Sequence, residues 1–105
     1  MTDLESLCTA LTSTVGVTFK PYAWVDHPDE FGVAAYDGGN DLAAGNVHAE
    51  ESMSGTIDLF IKSTEKTRPE SVASTLDALD VAWRLNSVQY ENKTGYVHWE
   101  WVFET

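Results

Sequence analysis

The sequence predicts an α+β fold: an antiparallel-rich mixed sheet, two amphipathic helices packed on one of its faces, and a strand hairpin at the C-terminus. Three observations predict it. Two apolar stripes at helical spacing each follow a T-x-x-E sequence, at Thr2 and again at Thr67. The candidate strands come in runs rather than alternating with those stripes. The closing segment alternates, with Val97, Trp99, Trp101 and Phe103 on one face and Tyr96, His98, Glu100 and Glu104 on the other.

Each element has its own local reason. Thr2 and Glu5 read as a capping box, and Leu4, Leu7, Cys8 and Leu11 then recur at helical spacing. Gly16 supplies the stop, so a helix is expected over about residues 3–14. Residues 17–24 are rich in β-branched and aromatic types and read as a strand, with Pro21 marking an edge or a bulge. A polar turn at 26–30 leads to a second strand at 31–36. Asp37-Gly38-Gly39-Asn40-Asp41 is a turn, because Gly and Asn accept positive φ. Residues 42–45 fit a short loop or a helical turn, and residues 46–53 a strand or an extended arm. From Ser54 the pattern clears: Gly55, Ile57, Leu59 and Ile61 share one face, and Phe60 is an apolar exception on the other.

Thr67 and Glu70 repeat the capping box, with Pro69 in the first turn where its missing amide costs nothing. Val72, Leu76, Leu79 and Trp83 continue at helical spacing and predict an amphipathic helix that reaches Trp83. Residues 85–91 form a strand, 92–95 a hairpin turn and 96–104 the last strand. The simplest packing sets both helices on the face that carries Trp99 and Trp101.

Length bounds the rest. One domain spanning residues 1–105 is expected, and an apolar fraction of 43% with four tryptophans is enough for a packed core. The net charge is -11. Between Lys20 and Lys62 there is no Lys or Arg, yet eight acids stand there, from Asp26 to Asp58. Such a surface does not grip phosphate by ion pairing, which argues against nucleic-acid and anionic-membrane binding. It suits solubility, repulsion of a polyanion, or a partner that supplies cations. The one cysteine, Cys8, lies on the apolar stripe of the first helix and reads as a buried thiol. The first residues lack a basic, apolar leader, and no apolar run is long enough to span a bilayer, which places the chain in a cytosol-like compartment.

Little chemistry is written in the residues. His27, His48 and His98 are scattered, with no partner at metal-ligand spacing. The 37–41 turn lacks the alternating oxygens of a calcium loop. No phosphate loop or nucleophile elbow is present, so no catalytic, metal or cofactor-binding residue is assigned and no enzyme activity is expected. Trp24, near a strand end, and Tyr96 and His98, on the outer face of the last strand, are candidates for a subunit interface.

The segment Pro21-Tyr22-Ala23-Trp24, the run Phe31-Gly32-Val33-Ala34-Ala35-Tyr36 and the acidic Gly-Asn turn resemble the small tail-terminator, or tail-completion, proteins of long-tailed bacteriophages. So do Gly55-Thr56-Ile57-Asp58-Leu59-Phe60-Ile61-Lys62, the helix with Pro69-Glu70-Ser71-Val72, and the closing hairpin. The likeness spans nearly the whole chain. It implies a structural virion protein, made in the host cytoplasm, that closes a hexameric ring on the finished tail tube and then meets the head connector. Its partners would be further copies of itself, the major tail-tube protein and a head-completion protein, with DNA passing through the ring. On that reading Asp37, Asp41, Glu50, Glu51 and Met53 become candidates for a lumen or partner interface, and the 42–53 arm is expected to touch a neighbour or the tube. An acidic inhibitor or immunity-type protein, which binds a basic target, is the alternative that the charge fits equally well.

Overall fold

The computed structural model describes residues 3–37 and 54–105; the expected arm at 42–53, with Asp41, Glu50, Glu51 and Met53, lies outside the described residues. The described chain runs α1 (Leu4–Val15), β1 (Phe19–Pro21), β2 (Phe31–Tyr36), β3 (Ser54–Ile61), α2 (Thr67–Ala78), β4 (Ala82–Glu91) and β5 (Tyr96–Glu104). The five strands form one sheet in the order β1-β2-β3-β5-β4. Only the β1–β2 pair is parallel; the other three are antiparallel. The fold is α+β, with the predicted hairpin formed by β4 and β5.

Both helices start differently from their predicted caps. At α1 the cap is Asp3, not Thr2: its carboxylate accepts the Ser6 amide at 2.7 Å, and this bond pulls the Asp3 pKa down. A carboxylate at a helix start also meets the positive end of the backbone dipole, which favours it over a hydroxyl. At α2 the cap residue is Lys66, which makes no side-chain capping bond; Glu65 instead accepts the Arg68 amide at 3.1 Å. Thr67 is already helical, so its hydroxyl is not placed to cap. Gly16 closes α1 at φ 87, as the stop signal predicted.

The second helix ends at Ala78 and does not reach Trp83. Asp80 takes φ 60, and the Val81 amide turns back to the Leu76 carbonyl at 2.9 Å. Trp83 lies in β4, and its Nε1 donates to Asp77 Oδ1 at 2.8 Å. Its place in the helical phase is coincidental: the strand returns it to the same side of the sheet as α2. The first strand is likewise shorter than predicted, three residues instead of eight. With a β1 so short, nine residues from Tyr22 to Glu30 suffice to carry the chain back for a parallel pairing with β2.

The core lies between the helices and one sheet face. Leu7 and Leu11 of α1 and Val72 and Leu76 of α2 are fully buried against Ile57, Leu59 and Ile61 of the central strand β3, with Trp101 and Phe103 beside them. Trp99 and Trp101 point to this face, as predicted, with ring centroids 6.0 Å apart. Two 12-residue helices are each about 18 Å long. The 10-residue β4 is about 33 Å long. The helices therefore cannot cover the whole sheet.

Candidate interaction surface

Among the described residues, the region that the helices leave uncovered is the edge strand β4. Trp83, Leu85, Val88 and Tyr90 face the helix side of the sheet, opposite Phe103, Trp101, Trp99 and Val97 of β5. Leu85, Val88 and Tyr90 remain 41%, 46% and 64% exposed. Beside them a groove of about 340 Å³ runs between α2 and the sheet, with Pro69, Ala73, Trp83, Leu85, Trp99 and Trp101 among its lining. The Trp99 Nε1 is buried there without a hydrogen-bond partner among the described residues. Among the described residues the far edge of β4 has no strand partner, so its outward amides and carbonyls form a template for another strand. A bulge at Asn86 separates the Leu85 and Ser87 registers.

The opposite end of the sheet carries the other exposed apolar side chains. Tyr22 and Val25 follow β1 and are 61% and 99% exposed. All five exposed large hydrophobics among the described residues thus sit at the two ends of the sheet, three on β4 and two after β1. The middle of the sheet presents none. Tyr22 stands at φ 69, held by its amide bond to the Ala34 carbonyl at 2.9 Å.

The sheet face away from the helices carries a row of stacked rings. His27 stacks on Phe31 at 3.9 Å, Phe31 on Phe60 at 4.7 Å, and Phe60 on His98 at 4.1 Å. Tyr96 stands edge-on to Phe31 and Phe60, with the Lys62 ammonium 4.8 Å above its ring. Phe60, the exception in its strand's alternation, is the centre of this row. His98 Nε2 meets Asp58 Oδ1 at 2.7 Å, and Nδ1 lies 3.9 Å from Glu91. The Asp58 hydrogen bond raises the His98 pKa above its ordinary value, against a lowering by burial, with Glu91 and Glu100 adding to the rise.

At the mouth of the row, Glu30 fixes the turn before β2 to α2. It accepts both arms of the Arg68 guanidinium, at 2.8 and 3.1 Å, and the Lys62 amide at 2.8 Å. Arg68 holds Glu65 as well, at 2.8 Å. The Arg68 bonds pull both carboxyl pKa values down and raise that of Arg68.

These placements sort the residues singled out in the sequence. Tyr96 and His98 share the outer face. Trp24 joins them at the end of the ring row: its Nε1 donates to the Gly32 carbonyl at 2.8 Å, its ring meets Phe31 edge-on, and Lys20 lies 4.5 Å above it. Asp37 is exposed at the end of β2 and accepts the Ser54 hydroxyl at 3.1 Å, far along the strands from the ring row. Cys8 is buried and its thiol is pushed up to about 11, first by burial and then by Glu5. Among the described residues no three His, Cys, Asp or Glu side chains group as metal ligands, and no helix is long and apolar enough to cross a membrane. Leu85, Val88 and Tyr90 were not singled out. Their signal is a slip of phase, since Trp83 and Leu85 alternate on odd positions and Val88 and Tyr90 on even ones. That is the mark of a bulged strand with one apolar face.

Neither a family model nor a curated protein matches this chain.

Proposed function

We propose that this chain is a structural protein of the tail-terminator type, which caps the tail tube of a long-tailed bacteriophage as a ring and then joins it to the head connector. One observation carries the reading beyond the sequence resemblance: the exposed large hydrophobics among the described residues stand at opposite ends of one sheet. A closed ring uses heterologous contacts, in which one patch of each copy meets a different patch of the next. The β4 strip and the Tyr22–Val25 patch supply such a pair, and they lie on opposite sides of the protomer. The charge of -11 suits a ring that passes DNA without holding it.

The charge also fits the second reading, an acidic inhibitor of a basic protein. Electron microscopy separates the two. The protein mixed with tail-tube subunits is expected to give tubes of uniform length capped by rings. Uncapped tubes, with a one-to-one complex formed on a basic target instead, would establish the inhibitor and remove the ring.

A further inference from the structure

We infer that β4 is a self-docking edge: in the free protein it takes a second copy of itself, antiparallel, about a two-fold axis through Val88. This goes beyond the ring proposal and holds whether or not the protein caps a tail. The ring would use β4 against a different patch, whereas here β4 meets β4.

The bulge sets the register. On β4, Leu85, Val88 and Tyr90 face the helix side, whereas Arg84, Ser87, Gln89 and Glu91 pair with outward residues of β5. Paired strands must match face to face, because opposed residues point the same way. If two copies of β4 run antiparallel with Val88 opposite Val88, Ser87 falls opposite Gln89 and both point outward. Continuing along the strand, the extra residue at Asn86 drops out of the pairing in each copy, as it does against β5. Leu85 then lies opposite Tyr90, and both face the helix side. Arg84 lies opposite Glu91, and both face outward. A regular strand without the bulge would not allow these two pairings together with the central one.

The result matches chemistry as well as geometry. The three exposed apolar side chains of one copy meet the same three of the other, so the strip covers itself. The only cation and the only anion on β4 are brought together twice, once on each side of the axis. A parallel pairing would instead set Arg84 beside Arg84 and Glu91 beside Glu91. The rim of the adjoining groove also carries one charge of each sign, Lys66 and Glu70, which suits an isologous contact. The paired edges would form one ten-stranded sheet with no long free edge left, which removes the template for further addition.

The test is the mass and the register of the isolated full chain. Sedimentation equilibrium at tens of micromolar is expected to give a dimer. Val88→Cys is expected to cross-link copy to copy under mild oxidation, because Cα atoms directly opposite in an antiparallel pair stand about 4.5–5.5 Å apart, within disulfide reach. Tyr22→Cys, exposed at the other end, is expected to cross-link far more slowly; Cys8 is buried and does not compete. Arg84→Glu is expected to weaken the dimer about tenfold, and adding Glu91→Arg to restore it to within about threefold. Circular dichroism melts confirm that each variant is folded. A monomer at these concentrations would overturn the inference, as would cross-linking of Tyr22→Cys as fast as Val88→Cys. A charge swap that fails to rescue would overturn the register. None of these results bears on tube capping, which the microscopy tests separately.

Discussion

Arg68 ties the turn before β2 to the start of α2, and its removal gives a prediction that can be sized. Take Arg68→Met, which keeps the aliphatic stem and removes the fork. The two bonds to Glu30 measure 2.8 and 3.1 Å, and the side chains are 22% and 30% exposed. A hydrogen bond to a charged group nets about 1.5–3 kcal/mol when sheltered, whereas a fully exposed pair is worth about 0–1 kcal/mol. This pair is partly sheltered and bidentate, so the fork is discounted for solvent to about 2 kcal/mol in total. For a chain of this size that is a fall in Tm of about 10 °C. Combining the variant with Glu30→Gln in a double-mutant cycle should give a coupling of about 1–1.5 kcal/mol. The sign with pH is fixed by the carboxylate. Glu30 is held below its ordinary value of 4.5, chiefly by Arg68, so its contribution is complete above that value and is lost as pH falls through the lowered one. The gap between wild type and Arg68→Met should therefore narrow in acid. Urea denaturation at pH 7 and at pH 3 measures both. Additive single variants, with a coupling under about 0.3 kcal/mol, would refute the tie.

Two further outcomes follow from the sheet. Gly55→Ala would place a Cβ 2.0 Å from the Ala35 carbonyl oxygen and 2.9 Å from the Tyr36 Cα, both backbone, so the strands must part; a loss of about 2–3 kcal/mol is expected by denaturant melt. His98, raised by Asp58 above its ordinary value of 6.5, contributes stability that is complete below 6.5 and is lost as pH rises through the higher folded value. The wild type should therefore lose more Tm between pH 6 and pH 9 than Asp58→Asn does, and equal losses would remove Asp58 as the cause.

The sequence makes the sheet and helices legible where one face is buried. Ile57, Leu59 and Ile61 alternate because β3 is the middle strand and its helix side is fully covered. Leu4, Leu7 and Leu11 repeat because α1 rests on that face. Periodicity fails where tertiary contacts choose between two phases that both fit. Trp83 satisfies the helical phase and the strand phase alike, and only the turn at Asp80 decides. Thr2 and Asp3 are both able caps one residue apart, and local sequence does not separate them. The ring row was beyond reach for another reason. His27, Phe31, Phe60 and His98 come from four segments, and only the β2–β3–β5 registers bring them into line. The β4 strip was within reach, through its change of phase, because a bulge is a local feature.

The place of β5 has a consequence in time. The last of the described strands is not at a margin of the sheet: it lies between β3 and β4 and is paired on both sides. Until residues 96–104 are available, β3 can pair only with β2, Trp101 and Phe103 are missing from the core, and β4 has no partner at all. Sheet closure therefore waits for contacts far apart in sequence, which makes folding slow relative to a helical chain of equal length. In that interval the β4 strip is open on both edges, so a growing chain is prone to mispairing until β5 arrives.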